Sequence, residues 1–198
     1  MLSNAFAEEP GDFVVTGGPM VVPIVGGELT TSNDSVDYSD MFKMGWGFGL
    51  DGMFVVTQWL RAGMGIYPMI FPGDDIGGAK LNKWWVVPVM IGAKVLPFKQ
   101  KDGWPRPYLR LDLGVTFYAG TRINNPDGSG RVAFFTTSTA FSGDVGGGLE
   151  YKFTENWGIF GEACYLFANN PIGAGKVEIH DPKPAMFVPV RFGVLYAY

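Results

Sequence analysis

The chain of 198 residues is poor in the groups that most soluble enzymes and nucleic-acid binders rely on: one cysteine, one histidine, and only 17% charged residues. The lone Cys164 excludes an internal disulfide. A net charge of −4 without a clustered basic surface excludes nucleic-acid binding, which needs rows of Lys and Arg to neutralise phosphates. The longest nearly apolar run, WWVVPVMIGA at 84–93, is interrupted by Pro88 and is about half the ~20 residues that a spanning helix requires. No transmembrane helix is expected. Gly146-Gly147-Gly148 is no phosphate cradle, because a strand pattern rather than a helix start follows it. No calcium-loop spacing appears among the carboxylates, and neither a cofactor nor a metal ion is expected.

Glycine and aromatic residues are what the chain has in excess. Its 29 glycines are about twice the usual ~7%, and each costs a helix ~1 kcal/mol, so strands and turns are favoured. Alternation of period two, bounded by Gly, Pro, Asn and Asp clusters, gives eight strands: about 12–29, 41–51, 55–69, 83–97, 107–120, 134–153, 156–168 and 184–198. Tight turns are expected near Leu50-Asp51-Gly52 and Thr154-Glu155-Asn156, with KQKDGWPR at 99–106 somewhat longer. Longer polar loops fall near 30–40, 70–82, 121–133 and 169–183. An up-and-down meander puts the short connections at one end and the long ones at the other.

Charge falls on one side of each strand. In PYLRLDLGVTFYAG, Leu109, Leu111, Leu113, Val115 and Phe117 share one face, and Tyr108, Arg110, Asp112, Gly114 and Thr116 the other. Val145, Gly147, Leu149, Tyr151 and Phe153 likewise oppose Asp144, Gly146, Gly148, Glu150 and Lys152. Eight strands closed into a barrel leave an interior just wide enough to fill with side chains, so the small, charged face suits the inside. The apolar face then forms an outer band that water would not tolerate and a bilayer would. The ending RFGVLYAY, with Val190, Phe192, Val194, Tyr196 and Tyr198 on one face, becomes a lipid-facing strand that pairs with the first. Two aromatic girdles are expected. Phe13, Phe54, Phe98, Tyr108, Phe153, Trp157 and Tyr198 would lie low; Phe42, Tyr67, Trp84, Trp85, Tyr118, Phe134, Phe135, Phe167 and Phe187 would lie high.

These patterns, carried by VPVMIGAKVLPF (87–98), RPYLRLDLGVTFY (106–118), GDVGGGLEYKFTENWGIFGEACYLF (143–167) and VPVRFGVLYAY (188–198), resemble the small eight-stranded outer-membrane β-barrels. That group includes the membrane domain of outer membrane protein A and the outer membrane protein W family. The resemblance implies an all-β, antiparallel, up-and-down transmembrane barrel in a Gram-negative outer membrane, with short periplasmic turns, longer extracellular loops and surrounding lipids and lipopolysaccharide. It also implies a C-terminal signal read by the barrel-assembly machinery, matched here by Arg191, Gly193, Tyr196 and Tyr198. The barrel is expected over 11–198, with 1–10 a signal-peptide remnant ending at Ala5-Phe6-Ala7 or a disordered leader.

Arg61, Lys94, Arg110, Asp112, Asp144, Glu150, Lys152, Glu162 and Arg191 should all point inward as a salt-bridge network that plugs the barrel. The expected role is a non-enzymatic structural or surface-interaction component whose loops meet another molecule. The alternative is a narrow transporter for small apolar solutes; a lipid-modifying barrel enzyme and a soluble lipocalin-like carrier rank below both. His180, in HDPKP, has Pro182 where the lipid A deacylase pattern has serine, and Gly45-Trp46 and Asn156-Trp157-Gly158 miss the lipocalin spacing. Asp34, Asp37, Asp40, Asp74 and Asp75 are expected to be solvated loop carboxylates, NNPDGSG at 124–130 a turn-rich loop, and Cys164 a small inward-facing residue.

Overall fold

The computed structural model describes residues 8–31, 35–76, 79–99, 104–124, 130–133, 136–169, 179–180 and 183–198. Eight long strands form the wall: β1 (Phe13–Val22), β2 (Gly45–Thr57), β3 (Leu60–Ile66), β4 (Trp84–Val95), β5 (Arg106–Tyr118), β6 (Ser138–Lys152), β7 (Trp157–Ala168) and β8 (Val190–Ala197). Each pairs antiparallel with its successor. β8 pairs with β1, from Val14↔Ala197 to Val21↔Val190, and closes the barrel. The seam is locked by Phe13 N–H to Tyr198 C=O at 3.0 Å and Tyr198 N–H to Phe13 C=O at 2.8 Å. The closure leaves the eight-stranded wall without a free edge.

The alternation read from the sequence sets the two faces. Leu109, Leu111 and Leu113 are 64%, 60% and 49% exposed, whereas Arg110 and Asp112 between them are buried against the axis. Phe48, Leu50, Ile91, Val145, Ile159, Phe192 and Val194 also look outward, so the cylinder is apolar around its circumference. A closed wall of this kind satisfies its backbone internally and presents hydrocarbon outside, which are the two conditions for spanning a bilayer with strands.

One turn is misplaced in the sequence reading. Leu50-Asp51-Gly52 is no turn: β2 runs unbroken from Gly45 to Thr57, and the chain reverses at Gln58-Trp59. Asp-Gly is strong turn chemistry. It lost here to the alternation, because Trp46, Phe48, Leu50, Phe54 and Val56 all keep to the outer face across it. The turn after β6 lies where expected; of the connection after β4, residues 100–103 lie outside the described residues and Arg106 already belongs to β5.

Prolines interrupt the wall at one level. Pro23, Pro68 and Pro189 separate β1, β3 and β8 from the short strands Ile24–Gly26, Met69–Phe71 and Ala185–Phe187 that carry the wall outward. Pro19 and Pro88 lie within β1 and β4. Each lacks a donor for the ladder. Their carbonyls still accept, as in Tyr67 N–H to Pro88 C=O at 3.0 Å and Cys164 N–H to Pro189 C=O at 3.1 Å.

The long loops add structure of their own. Glu28–Thr31, Ser35–Asp37 and Ile179–His180 form one small sheet; Asp75–Ile76, Ala79–Leu81, Arg122–Asn124 and Arg131–Ala133 form another. The first joins the loops on either side of the β8–β1 seam, and the second joins the loops after β3 and β5. A single helical turn, α1 (Tyr38–Met41), lies between them. Phe42 bridges to Gly73, and Asp74 N–H donates to Met41 C=O at 2.8 Å. The outer rim is therefore two joined lobes rather than four separate loops.

Candidate functional site

Among the described residues the outer wall is apolar, so the lumen and its two mouths are the candidate site. Its contents change with height. Near the short turns ions share it with a small apolar cluster of Val14, Val55, Leu195 and Ala197; through the middle it is ionic, and toward the long loops it is apolar.

The ionic part has two tiers. At the short-turn mouth, Arg61 donates from Nε and Nη2 to the two oxygens of Glu8 at 2.9 and 2.6 Å, and from Nη1 to Glu150 at 2.8 Å. Arg106 reaches Glu150 through Nε at 2.8 Å and Glu8 through Nη2 at 3.0 Å, and Lys152 Nζ lies 2.9 Å from Glu8. Burial pushes the Glu8 carboxyl up, but Arg61, Arg106 and Lys152 overcome it and hold the group below the usual carboxylate range. In the second tier, Asp51 takes Thr16 Oγ1 at 2.7 Å, and has Arg110 at 3.3 Å and Lys94 at 3.9 Å. Arg191 and the Tyr67 hydroxyl also donate to it. Glu162 accepts from Tyr108 Oη at 2.8 Å and Arg110 Nη1 at 2.9 Å, with Arg191 at 2.6 Å and Lys94 at 3.4 Å. Arg110 also grips Asp112, while Asp144, the register partner of Asp112, meets Arg110 Nε only at 3.5 Å.

All nine residues that the sequence pointed inward lie in this lumen. Three members were missed: Glu8, assigned to the leader; Asp51, assigned to a turn; and Arg106, one residue before the expected strand. Two of the three carry a sequence signal. Asp51 and Arg106 share parity with the inward faces of β2 and β5. With the three included, six acids (Glu8, Asp51, Asp112, Asp144, Glu150, Glu162) face six bases (Arg61, Lys94, Arg106, Arg110, Lys152, Arg191), all buried. A balanced count is what the high cost of an unpaired buried charge demands.

The apolar part overturns half of the expected girdles. Phe42, Tyr67, Trp84, Tyr118 and Phe187, expected at the lipid boundary, are buried inside the barrel, as is Tyr108 lower down. Trp84 is sandwiched between Tyr38 at 5.7 Å and Tyr118 at 5.5 Å, both near parallel, with Phe42 at 5.0 Å. Met20, Met69, Phe71, Val86, Met90 and Leu166 complete the cluster. Height along the strand was read correctly but parity was not applied: Trp84, Val86 and Met90 lie on the same face of β4 as Lys94. Trp85 and Phe167 do face outward, as do Phe54, Phe98, Phe153, Trp157 and Tyr198 at the other end. Phe134 and Phe135 lie outside the described residues.

Between the two parts is a cavity of about 20 Å³ beside Met20, Tyr67, Cys164 and Leu166, room for about one water. Of the C-terminal residues, Arg191 is in the ionic tier, Gly193 packs against the β1 backbone, Tyr196 meets Trp157 at 4.8 Å and Tyr198 is exposed. Outside the barrel, Asp37, Asp40 and Asp75 are exposed. The Asp75 N–H beside Asp74, with Lys43 at 3.4 Å, lowers the Asp74 carboxyl. His180 pairs through its backbone with Thr30, while Asp34, Pro182 and most of 124–130 lie outside the described residues.

No protein-family profile matches the chain. No curated protein matches it either. Solved structures do. The outer membrane protein OprG from Pseudomonas aeruginosa superposes with a TM-score of 0.66 at 16% identity, over 97% of this chain and 98% of that one. The outer membrane protein AlkL gives 0.58 at 14% identity, over 96% and 91%. Ail, the attachment invasion locus protein of Yersinia pestis, gives 0.55 at 11% identity, over 96% and 100%. The chain has the fold of the small eight-stranded outer-membrane β-barrels. At these identities the likeness carries the fold and not an activity.

Proposed function

We propose that the protein is a closed, non-enzymatic barrel of the Gram-negative outer membrane that anchors and presents its two-lobed outer rim to another molecule. One observation carries this reading: the lumen is occupied along its length, by paired ions below and by stacked aromatic rings above. A cylinder filled in this way contributes rigidity rather than a path. The rim gains from it, because α1 and the strands above the prolines rest on the aromatic cluster. Among the described residues the candidate contact surface is the pair of small sheets, which expose charges of both signs, Asp37 and Asp75 beside Lys80 and Arg122.

A second reading, a carrier of small apolar solutes, is favoured by the apolar outer half of the lumen and by the wall interruptions at Pro23, Pro68 and Pro189 beside it. The two readings part in vesicles and planar bilayers. The anchoring role expects no steady current and no faster uptake of a small apolar solute than in empty vesicles. Accelerated uptake without current would establish the carrier. A defined conductance altered by Arg110→Ala would refute both closed-lumen arguments.

A further inference from the structure

Glu8 differs from the other eleven lumen charges in where it comes from. The others stand on wall strands, with side chains aimed inward by the pleat. Glu8 precedes the wall, on a short strap tied by Gly11 N–H to Val55 C=O and Val55 N–H to Asp12 C=O, both at 2.9 Å, and by Asp12 N–H to Glu9 C=O at 3.1 Å. Its carboxylate is the only part of the strap to enter the ionic tier, where its side chain is 3% exposed.

The wall supplies the whole receptor for that carboxylate. One oxygen meets Arg61 Nη2 at 2.6 Å and Lys152 Nζ at 2.9 Å; the other meets Arg61 Nε at 2.9 Å and Arg106 Nη2 at 3.0 Å. A planar guanidinium fork facing both oxygens of a carboxylate, with two further cations at its flanks, is a geometry specific for that group. Glu150 neutralises only one of the three wall cations, so the pocket without Glu8 carries two uncompensated positive charges. Buried charge of that kind takes up an anion or destabilises the fold.

We infer that the short-turn mouth of the barrel is a binding site for a small carboxylate, which the chain fills in cis with Glu8. The strap is then a replaceable occupant. A free monocarboxylate enters the same pocket when Glu8 is withdrawn.

Chemical rescue tests this on the full chain in detergent micelles, with the heat-induced loss of the fast-migrating folded form on gels as readout. In sodium chloride, Glu8→Ala is expected to lower the midpoint by about 10 °C. Sodium formate at the same ionic strength is expected to recover at least half of that fall and to leave the unsubstituted protein unchanged. Glu8→Gln, whose amide fills the pocket without its charge, should fall as well but not recover. An unaltered midpoint in Glu8→Ala, equal recovery in chloride and formate, or equal recovery of Glu8→Gln would each overturn the assignment. If Glu8→Ala gives no folded barrel in chloride, refolding yield replaces the midpoint: yield in formate alone supports the site, and yield in neither salt sinks it.

Discussion

Asp51 and Asp144 are both inward carboxylates of the second ionic tier, yet replacing each by asparagine should have very different consequences. Asp51 accepts from Thr16, Tyr67 and Arg191 and has Arg110 and Lys94 within 3.9 Å. In Asp51→Asn one oxygen becomes an NH₂ donor among groups that are themselves donors, and three cations lose a shared counter-ion. Losing one partner of a buried ion pair costs about 3–5 kcal/mol. Asp144 instead opposes Asp112 across the β5–β6 ladder, a like-charge pairing, and its one described ion pair is to Arg110 at 3.5 Å, which Asp112 holds more closely. Without Asp144 the second tier has three acids against three bases rather than four against three. Asp144→Asn should therefore stay within about 1 kcal/mol of the unsubstituted protein or stabilise it, since like charges directly opposite one another are unfavourable. Urea unfolding in lipid vesicles, followed by tryptophan fluorescence, measures both. At about 2–4 °C per kcal/mol for a chain of this size, thermal midpoints should separate by roughly 10 °C. Equal losses for the two variants, or a larger loss for Asp144→Asn, would refute the claim that Asp51 is the better paired of the two carboxylates.

Two further outcomes follow from the wall. Leu111→Arg, on the lipid face at mid-strand, should cost about 2–4 kcal/mol in vesicle unfolding, and a change below about 0.5 kcal/mol would contradict the membrane depth assigned to β5. Gly18→Ala should lower stability by about 1–3 kcal/mol, because a methyl group there meets the carbonyl oxygen of Phe192 and the Cα of Gly193 across the closing seam; an unchanged refolding yield and midpoint would mean that β1 and β8 approach less closely than described.

The architecture was legible because a barrel wall needs only period two. Parity separated Leu109 from Arg110, the narrow bore of eight strands put the charged face inside, and Lys152, Glu162 and Arg191 followed from the same two rules. Errors came where a second signal was allowed to outrank it. Asp51-Gly52 matched turn chemistry and was taken out of β2, although the outer series from Trp46 to Val56 runs straight through it. Trp84, Tyr118 and Phe187 matched the aromatic preference for membrane boundaries and were placed on the lipid side, although they share parity with buried neighbours. Glu8 is a different kind of miss. No periodicity reaches a strap that precedes the wall, so only the arrangement of cations around it reveals its place. The pairing of the outer loops into two sheets was equally invisible, since it joins segments far apart in sequence whose residues carry no alternation of their own.

The division of the lumen follows from the same economy of charge. A barrel closed by eight strands must fill its axis, and hydrocarbon does so with less desolvation than ions. Ions persist where their counter-charges come from neighbouring strands at matched height, as Arg106 and Glu150 do across β5 and β6 and Glu162 and Arg191 across β7 and β8. Above the prolines the ladder is interrupted and that matching is harder to keep, and there the interior turns to Met, Phe and Trp. Aromatic packing tolerates small shifts that a guanidinium–carboxylate pair does not.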